Sequence, residues 1–488
     1  MSPSVAIIGA GFGGLCMAIQ LERAGIRSYT VFEKADGLGG TWRDNSYPGA
    51  GCDIPSHLYS YSFEKYASWT RRYPEQPEIL EYLEHCADKY DVRRKIRFGA
   101  EVERAAFDGT TWQVTSGGRT EAFDVVVMSV GQLNRPRLPD IPGMSDFEGT
   151  SFHSARWNHD HDLTGRRVAV IGNGSSAAQF IPRVAEQAGH LHVFQRTPNW
   201  VIPKPDTAFG PLARLAFRFV PGLQRVYREW IYRYAEATLY PALAQGWSAE
   251  LLKKRALRHL HDQVPDPALR AKLTPDYPPG CKRVVIDSTF YPALTRADVD
   301  VVTDGIVRIT PKGIETTEGR YEADTIVYAT GFRSTEFLAP MEVVGRDERT
   351  LEEQWKGGAA AYLGISMPNF PNLFLLYGPN TNLGHNSIVF MIECQVRHVM
   401  SCLPHLSATG PMEVRPEVMA AWRRQLDAAM TRMVWGGGCQ SWYKTPEGRV
   451  TNNWPGTTTL YRKLTSRPPA PAYRPVQPGG IGAVRPAR

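Results

Sequence analysis

Three glycines at fixed spacing stand at the start of the chain. In VAIIGAGFGGL an apolar run leads directly into Gly9, Gly11 and Gly14, the pattern Gly-x-Gly-x-x-Gly, and a helical stretch follows, LCMAIQLERAG. Gly9 permits a tight turn, Gly11 lets a pyrophosphate approach the backbone, and Gly14 lets the helix pack closely on its strand. The helix start offers unpaired N–H groups and partial positive charge to phosphate oxygens. A second apolar run, SYTVFE, ends in Glu33, where a carboxylate accepts hydrogen bonds from ribose hydroxyls. This order of strand, fingerprint, helix, strand and acid predicts a dinucleotide without a 2′-phosphate.

RRVAVIGNGSSAAQFI repeats the pattern through Gly172, Gly174 and Ala177, with Ser175 and Ser176 opening the helix. Its second strand, LHVFQRT, ends in Arg196 and Thr197 instead of an acid. Arg at that position removes a repulsive charge and offers a fork of donors to a 2′-phosphate, so the site reads as one for NADPH. One site with phosphate selectivity and one without are what a flavoprotein reduced by NADPH requires, and the first then holds FAD. ADTIVYATGF (323–332) is another apolar strand, ending in Thr330 and Gly331, able to bring the chain back against the flavin. FDVVVMSVGQLNRPRLPDIPG (123–143) ends a strand and then passes Pro136, Pro139 and Pro142, which reads as a hinge.

A reduced flavin passes electrons to a protein disulfide or an external acceptor, or reacts with O2. The seven cysteines form no CxxC pair, which counts against a disulfide reductase. Their odd, scattered placement argues against a disulfide framework and for a reducing compartment. His153 is not spaced from another His or Cys as a metal ligand would be, and no metal is expected.

Two further motifs narrow the choice. FEGTSFHSARW sets Phe147, Gly149, His153 and Trp157 in the spacing FxGxxxHxxxW, and GGTWRDNSYPGAGCD sets Gly40, Thr41, Trp42, Tyr47, Pro48, Gly49 and Asp53 in [AG]GxWx4[FY]P[GM]x3D. On these the chain resembles, over nearly its whole length, the type I Baeyer-Villiger monooxygenases, a branch of the class B flavin-dependent monooxygenases. The resemblance implies NADPH- and O2-dependent conversion of ketones to esters or lactones through a C4a-peroxyflavin, with sulfoxidation as a side activity. It puts the catalytic arginine at Arg283, in CKRVVIDSTFY, with Asp53 as its partner. It puts a cofactor-phosphate role on Lys282 beside Arg196 and Thr197. A guanidinium suits the chemistry because it stays protonated and offers several donors to a developing oxyanion. QSWYK resembles the C-terminal loop whose Trp, here Trp442, touches the nicotinamide end of the cofactor. His153 becomes a residue of a conformational linker and not a proton-transfer catalyst. Asn158 stands where the family carries Pro or Asp, and only Pro would fix the backbone after Trp157. Two alternatives stay open: an N- or S-oxygenating flavin-containing monooxygenase, which needs no Arg283–Asp53 pair, and a non-catalytic NADPH-sensing regulator.

Positioning two dinucleotides takes an α/β architecture of two Rossmann-like dinucleotide-binding domains, one for FAD and one for NADPH, with a helical insertion. A chain of 488 residues is too long for one ordinary core. The expected order is an FAD-binding domain (1–142), a linker with the signature (143–159), an NADPH-binding domain (160–205), a helical insertion (206–280), the NADPH-binding domain resumed (281–330), the FAD-binding domain resumed (331–470) and a Pro/Gly-rich tail (471–488). In the insertion Leu, Phe, Ile and Tyr recur at helical spacing among Arg and Glu, and that content also fits a membrane-surface helix. The tail reads as disordered or surface-wrapping. A net charge of +7 with no nucleic-acid module excludes nucleic acid as a partner. No basic n-region precedes the short first apolar run and no uninterrupted apolar run is long enough to span a bilayer, so a cytoplasmic location without integral membrane contact is expected. Ketone and O2 are the expected small-molecule partners, and nothing in the residues selects an oligomeric state. Asn382, His385 and Asn386 are not included among the catalytic residues, since a loop His is more often structural.

Overall fold

The computed structural model describes residues 2–438, 441–467 and 470–476. Two parallel five-stranded sheets organise it. The first runs Leu373–Leu375, Val125–Met128, Val5–Ile8, Tyr29–Phe32 and Ile96–Arg97. Its central strands, VAII and VVVM, are buried at every position, as an apolar run must be when both faces of a parallel sheet are covered. Because side chains alternate along a strand, the two faces have different partners. Val5, Ile7, Val125 and Val127 pack on the helices Phe12–Arg23, Gln76–Lys89 and Ile388–Thr409. Ala6, Ile8, Val126 and Met128 face a smaller sheet built on Val102–Phe107, Trp112–Ser116 and Arg119–Phe123.

The second sheet repeats the plan in the order Val299–Val302, His190–Phe194, Arg167–Ile171, Thr325–Tyr328, Thr150–His153, again all parallel. Val168, Val170 and Val327 meet the helices Ser175–Ala185 and Phe290–Leu294. Ala169, Ile171 and Ile326 meet a three-stranded antiparallel sheet through Ile309 and Ile314. The stretch read as linker is thus part of this domain: residues 150–153 form an edge strand in register with Thr325–Tyr328.

Between the two halves of the second domain stand four helices, Pro211–Phe219, Leu223–Leu243, Ala249–Gln263 and Pro267–Leu273. The last starts from Asp266, whose carboxylate accepts from the amides of Ala268 and Leu269 at 3.0 and 3.1 Å, with Pro267 at the first helical position. The tail expectation needs correction at its start. Tyr473–Pro475 pairs antiparallel with Met412–Val414, and the buried Tyr473 hydroxyl bonds Ser366 Oγ at 2.9 Å and His398 Nε2 at 3.0 Å. One aromatic side chain with a slot to fill outweighs the prolines around it. Residues 477–488 lie outside the described residues. No helix among the described residues is long and apolar enough to cross a membrane.

Candidate active site

At the first fingerprint the strand Val5–Ile8 ends on Gly9, whose φ of +103° gives the turn, and a Cβ there would stand 2.5 Å from Ser129 O. Gly11 caps the helix Phe12–Arg23 in extended conformation. At Gly14 a Cβ would come to 1.8 Å from Gly9 O, so helix and turn close on each other only with glycine. The Glu33 carboxylate, buried, lies over this turn: Oε2 accepts from the Ala10 amide at 2.7 Å and Oε1 from the Ala35 amide at 3.0 Å. Gly40 packs on Gly11, and Thr41 and Trp42 follow it into the short helix Thr41–Asp44. Trp42 Nε1 donates to the Tyr59 hydroxyl at 3.0 Å.

The second fingerprint has the same geometry. Gly172 adopts φ +110° beneath Ala329 O, and Gly174 caps Ser175–Ala185 with no protein atom within 4 Å of where a Cβ would be. That open space faces the amides of Ser175 and Ser176, the cradle a pyrophosphate needs. Asn173 ties the loop to the end of the next strand, donating to Gln195 Oε1 at 2.9 Å and Thr197 O at 3.1 Å. Lys282 Nζ donates to Thr197 Oγ1, and its ammonium lies 4.8 Å from the Tyr277 ring centre. Burial, then the charge of Arg196, pulls the Lys282 pKa below its usual value. Lys282 and Arg196, close enough to repel, form a place for an anion.

Arg283 stands where the two domains meet. The short parallel pairing of Val285–Ile286 with Val201–Ile202 holds its backbone in the second domain. Its side chain reaches Asp53 in the first: Nη2 donates to Oδ1 at 2.8 Å and Oδ2 at 2.6 Å, and Nε to Oδ2 at 3.2 Å. Nη1 has only a long contact, 3.5 Å, to Leu383 O. Side-chain exposures of 29% and 21% leave the pair half-buried but reachable. The Asp53 charge raises the Arg283 pKa further above its already high value despite burial, so the guanidinium is a fixed cation. Asp53 is itself aimed by the Tyr47-Pro48-Gly49 segment. Tyr47 donates to Gln179 Oε1 at 2.9 Å, Gln179 Nε2 to Gly51 O at 2.9 Å, and a Cβ on Gly49 would meet Gln179 O at 2.6 Å. Gln179 belongs to the helix Ser175–Ala185 of the second domain.

The linker motif supports this junction. Phe147 packs into the core on the outer face of the second sheet. A Cβ on Gly149 would lie 2.4 Å from Asp324 O and 2.6 Å from the Phe147 ring, which explains the Phe-x-Gly spacing. His153 is buried, and its Nδ1 accepts from the Ala155 amide at 3.0 Å. The ring proton is therefore on Nε2, toward the Gly331 backbone, with the Phe332 ring 6.0 Å away. Burial lowers its pKa, so the imidazole is neutral. Trp157 rests on Phe180 of the same helix that carries Gln179, at 5.2 Å. Thr330 donates to Arg137 O and the Arg137 amide to Gly331 O at 2.9 Å. The ATGF segment is thereby tied to the hinge, and its strand, Thr325–Tyr328, lies in the second sheet.

Trp442 lies against Tyr443 at 4.3 Å in a cluster with Leu243, Trp435 and Cys281, and its carbonyl accepts from Ser334 Oγ at 2.7 Å. That places it on the Arg283 side of the site. Gln440 of the same motif is outside the described residues. Other members of the site were either without a sequence signal or, like Asn382, His385 and Asn386, left out of the catalytic set. Tyr377 and Tyr443 flank Arg283, their phenols pushed up by burial, Tyr443 to about 12, so both remain protonated. Tyr377 donates to Asn382 Oδ1 at 2.7 Å, and Asn382 Nδ2 to Asn453 Oδ1 at 2.7 Å. His385 and Asn386 turn to Glu236 of the insertion, at 3.2 and 3.0 Å. Against its desolvation, the donors His385 and Thr458 hold that carboxyl down to about 2.

Cys281 is disulfide-bonded, a bond that the reading against a disulfide framework did not foresee. Spacing along the chain carries no information on which thiols a fold brings together. The other described cysteines, Cys16, Cys52, Cys86, Cys394 and Cys402, are free. Away from the site, His190 and His192 on one strand both face Asp300 on the next, with ligand atoms within 4.8 Å of one another, a grouping that local spacing could not reveal.

Residues 6–212 match a family model described as pyridine nucleotide-disulphide oxidoreductase. A Baeyer-Villiger monooxygenase of Streptomyces coelicolor is 43% identical over 97% of this chain and 93% of its own length. Another, of Pseudomonas aeruginosa, is 42% identical over 96% and 90%. Among solved structures, an oxidised steroid monooxygenase bound to NADP superposes with a TM-score of 0.86 at 33% identity, covering 97% of this chain and 99% of that one. A closed cyclohexanone monooxygenase gives 0.86 at 29%, covering 97% and 98%. With this similarity along nearly its full length, and with the two fingerprints and the Arg283–Asp53 pair in place, the chain belongs to the Baeyer-Villiger monooxygenase family.

Proposed function

We propose that the protein holds FAD and NADPH and uses O2 to insert one oxygen beside a ketone carbonyl, giving an ester or lactone. The observation that carries this reading is the Arg283 guanidinium, gripped on one side by Asp53 at the meeting of two nucleotide folds, with Nη1 nearly free. FAD fits the cradle of Gly9, Gly11 and Gly14 with Glu33 at the ribose and Gly40, Thr41 and Trp42 along the wall. NADPH fits Gly172, Gly174, Ser175 and Ser176 at the pyrophosphate, with Lys282, Arg196 and Thr197 around the 2′-phosphate. Thr330 and Gly331 follow Ala329, whose carbonyl lies on Gly172, and are assigned to the cofactor wall, with Trp442 at the nicotinamide end. When bound, the flavin, reduced by hydride from the nicotinamide, supplies the activated oxygen.

The protein's own part is electrostatic. Asp53 occupies Nη2 and Nε, fixing the guanidinium plane, and leaves the Nη1 donors for an oxygen that gains negative charge during carbonyl attack. The cation needs no proton change to do this, because its pKa lies far above any working pH. Losing such a donor typically costs about 3 kcal/mol of barrier, or roughly 100-fold in rate. The neutral imidazole of His153 caps the Ala155 amide within the linker and moves no proton. The N- or S-oxygenating alternative uses an electrophilic oxygen and has no need of Arg283.

Arg283→Ala separates the two. Ketone oxidation, read as product one oxygen heavier than substrate, falls by about 100-fold or more, while NADPH still bleaches the flavin anaerobically. Ketone turnover retained in the variant rejects the reading.

A further inference from the structure

Exposed apolar surface is concentrated in one part of the molecule. Of twelve large apolar side chains that stand open among the described residues, nine lie between residues 212 and 251, in the helical insertion. The helix Pro211–Phe219 buries no residue, and Leu212, Leu215 and Phe219 share one face of it at spacings of three and four, with Leu212 83% exposed. Along Leu223–Leu243, Val226, Trp230 and Tyr234 recur every fourth residue, and the Trp230 and Tyr234 rings stack at 5.8 Å. Soluble surfaces rarely leave such runs uncovered.

Charge is concentrated in the same place. Residues 211–258 hold nine Lys and Arg against three Glu, a net +6 within a chain whose total is +7. Of those three acids Glu236 is turned inward to His385 and Glu229 is bonded to Arg233, and of the nine cations Arg228 alone is turned inward in the same way, to His57 O and Ser60 O. Arg214 and Arg218 sit on the short helix that presents Leu212 and Phe219, and that helix has no acid.

We propose that the outer face of the insertion is a peripheral docking surface for an anionic lipid bilayer. Leu, Phe and Trp side chains enter the acyl boundary while long Arg side chains reach back to the headgroups, the arrangement of an interfacial amphipathic helix. Nucleic acid would satisfy the charge but leave the apolar stripes in water. Contact stays interfacial, since none of the described helices can span the bilayer. The surface lies on residues distinct from both nucleotide sites, so the inference stands apart from the reaction proposed above.

The test uses the full-length FAD-loaded protein in co-sedimentation with vesicles of phosphatidylcholine alone or mixed with phosphatidylglycerol. Binding is expected to be about tenfold or more stronger on the mixed vesicles and to weaken with salt. Leu212→Ser combined with Phe219→Ser lowers it about tenfold, and Trp230→Ser lowers it independently. Arg214→Gln with Arg218→Gln removes much of the salt dependence. Each variant keeps its anaerobic flavin reduction by NADPH, which reports an intact fold. Absence of binding to the mixed vesicles, equal binding to both kinds, or binding unchanged in the variants overturns the proposal. So does a concentration-dependent dimer in analytical ultracentrifugation that the same substitutions dissolve, which would make this face a contact between copies of the chain.

Discussion

Lys282 bonds the Thr197 hydroxyl within the field of Arg196, and burial, then that second charge, depresses the Lys282 pKa. Such an arrangement is unfavourable without an anion and favourable with one, which suits the 2′-phosphate role proposed for it. Lys282→Ala is expected to raise the KM for NADPH about 10–100-fold, the worth of one charge-assisted hydrogen bond, and to leave the KM for NADH nearly unchanged. Steady-state kinetics with both cofactors checks this, and an equal rise in both means that Lys282 serves the pyrophosphate or the fold. At this scale the sequence was partly legible. Arg196 was proposed for the phosphate directly, since it ends the strand where an acid would repel one. The pairing of Asp53 with Arg283 could not, because the partners are 230 residues apart and each residue type is common on surfaces. A resemblance supplied that pair, and geometry gave it a physical form. Tyr377 and Asn453 near it had no signal, and Asn382 was set aside, all three being ordinary polar residues that acquire roles only through burial.

The linker strand shows how one element depends on a single missing atom. Gly149 lies against Asp324 O and the Phe147 ring, and neither the carbonyl nor the packed ring can retreat. Gly149→Ala is expected to destabilise the protein by about 1–3 kcal/mol, the usual cost of overpacking, lowering the melting temperature without altering flavin absorbance at room temperature. Residues 150–153 gave no strand pattern because TSFH neither alternates nor runs apolar, whereas VAII and VVVM were plain. The helical insertion was legible from its periodicity, but not what it rests on. Beneath it, His57 packs among Phe209, Phe217 and Tyr227. Burial, aided by the Arg228 charge, lowers its pKa from 6.5 to about 4. The unfolded chain therefore binds more protons than the folded one between these values, and stability falls as pH drops from 6.5 to 4, then levels. The loss is at most about 3 kcal/mol. His57→Phe keeps an apolar ring and removes the proton, so its melting temperature should fall less over that window; parallel curves for the two proteins would mean that His57 does not carry the effect.

For the whole molecule, the two-site plan was readable because each nucleotide fold is a local pattern, while the way the folds face each other was not. Among the side-chain links that join them are Tyr47 to Gln179, Gln179 to Gly51, Ser46 to His159, and Arg283 to Asp53. All four depend on residues 46–53, so one short segment of the first domain acts as the clasp on the second. If that clasp couples the folds, a ligand of the second fold must stabilise the first as well. Saturating NADP+ at a hundred times its Kd adds about 2.7 kcal/mol to whatever unfolds with its site. In the wild-type protein, calorimetry is expected to show a single transition that moves up with NADP+, carrying flavin release along with it. Tyr47→Phe combined with Gln179→Ala cuts two of the links without touching Arg283 or the phosphate residues. There NADP+ should raise only one of two resolved transitions, with flavin lost in the other. A variant that still unfolds in one NADP+-shifted step would mean that the remaining contacts, the Arg283–Asp53 pair foremost among them, are sufficient to couple the domains.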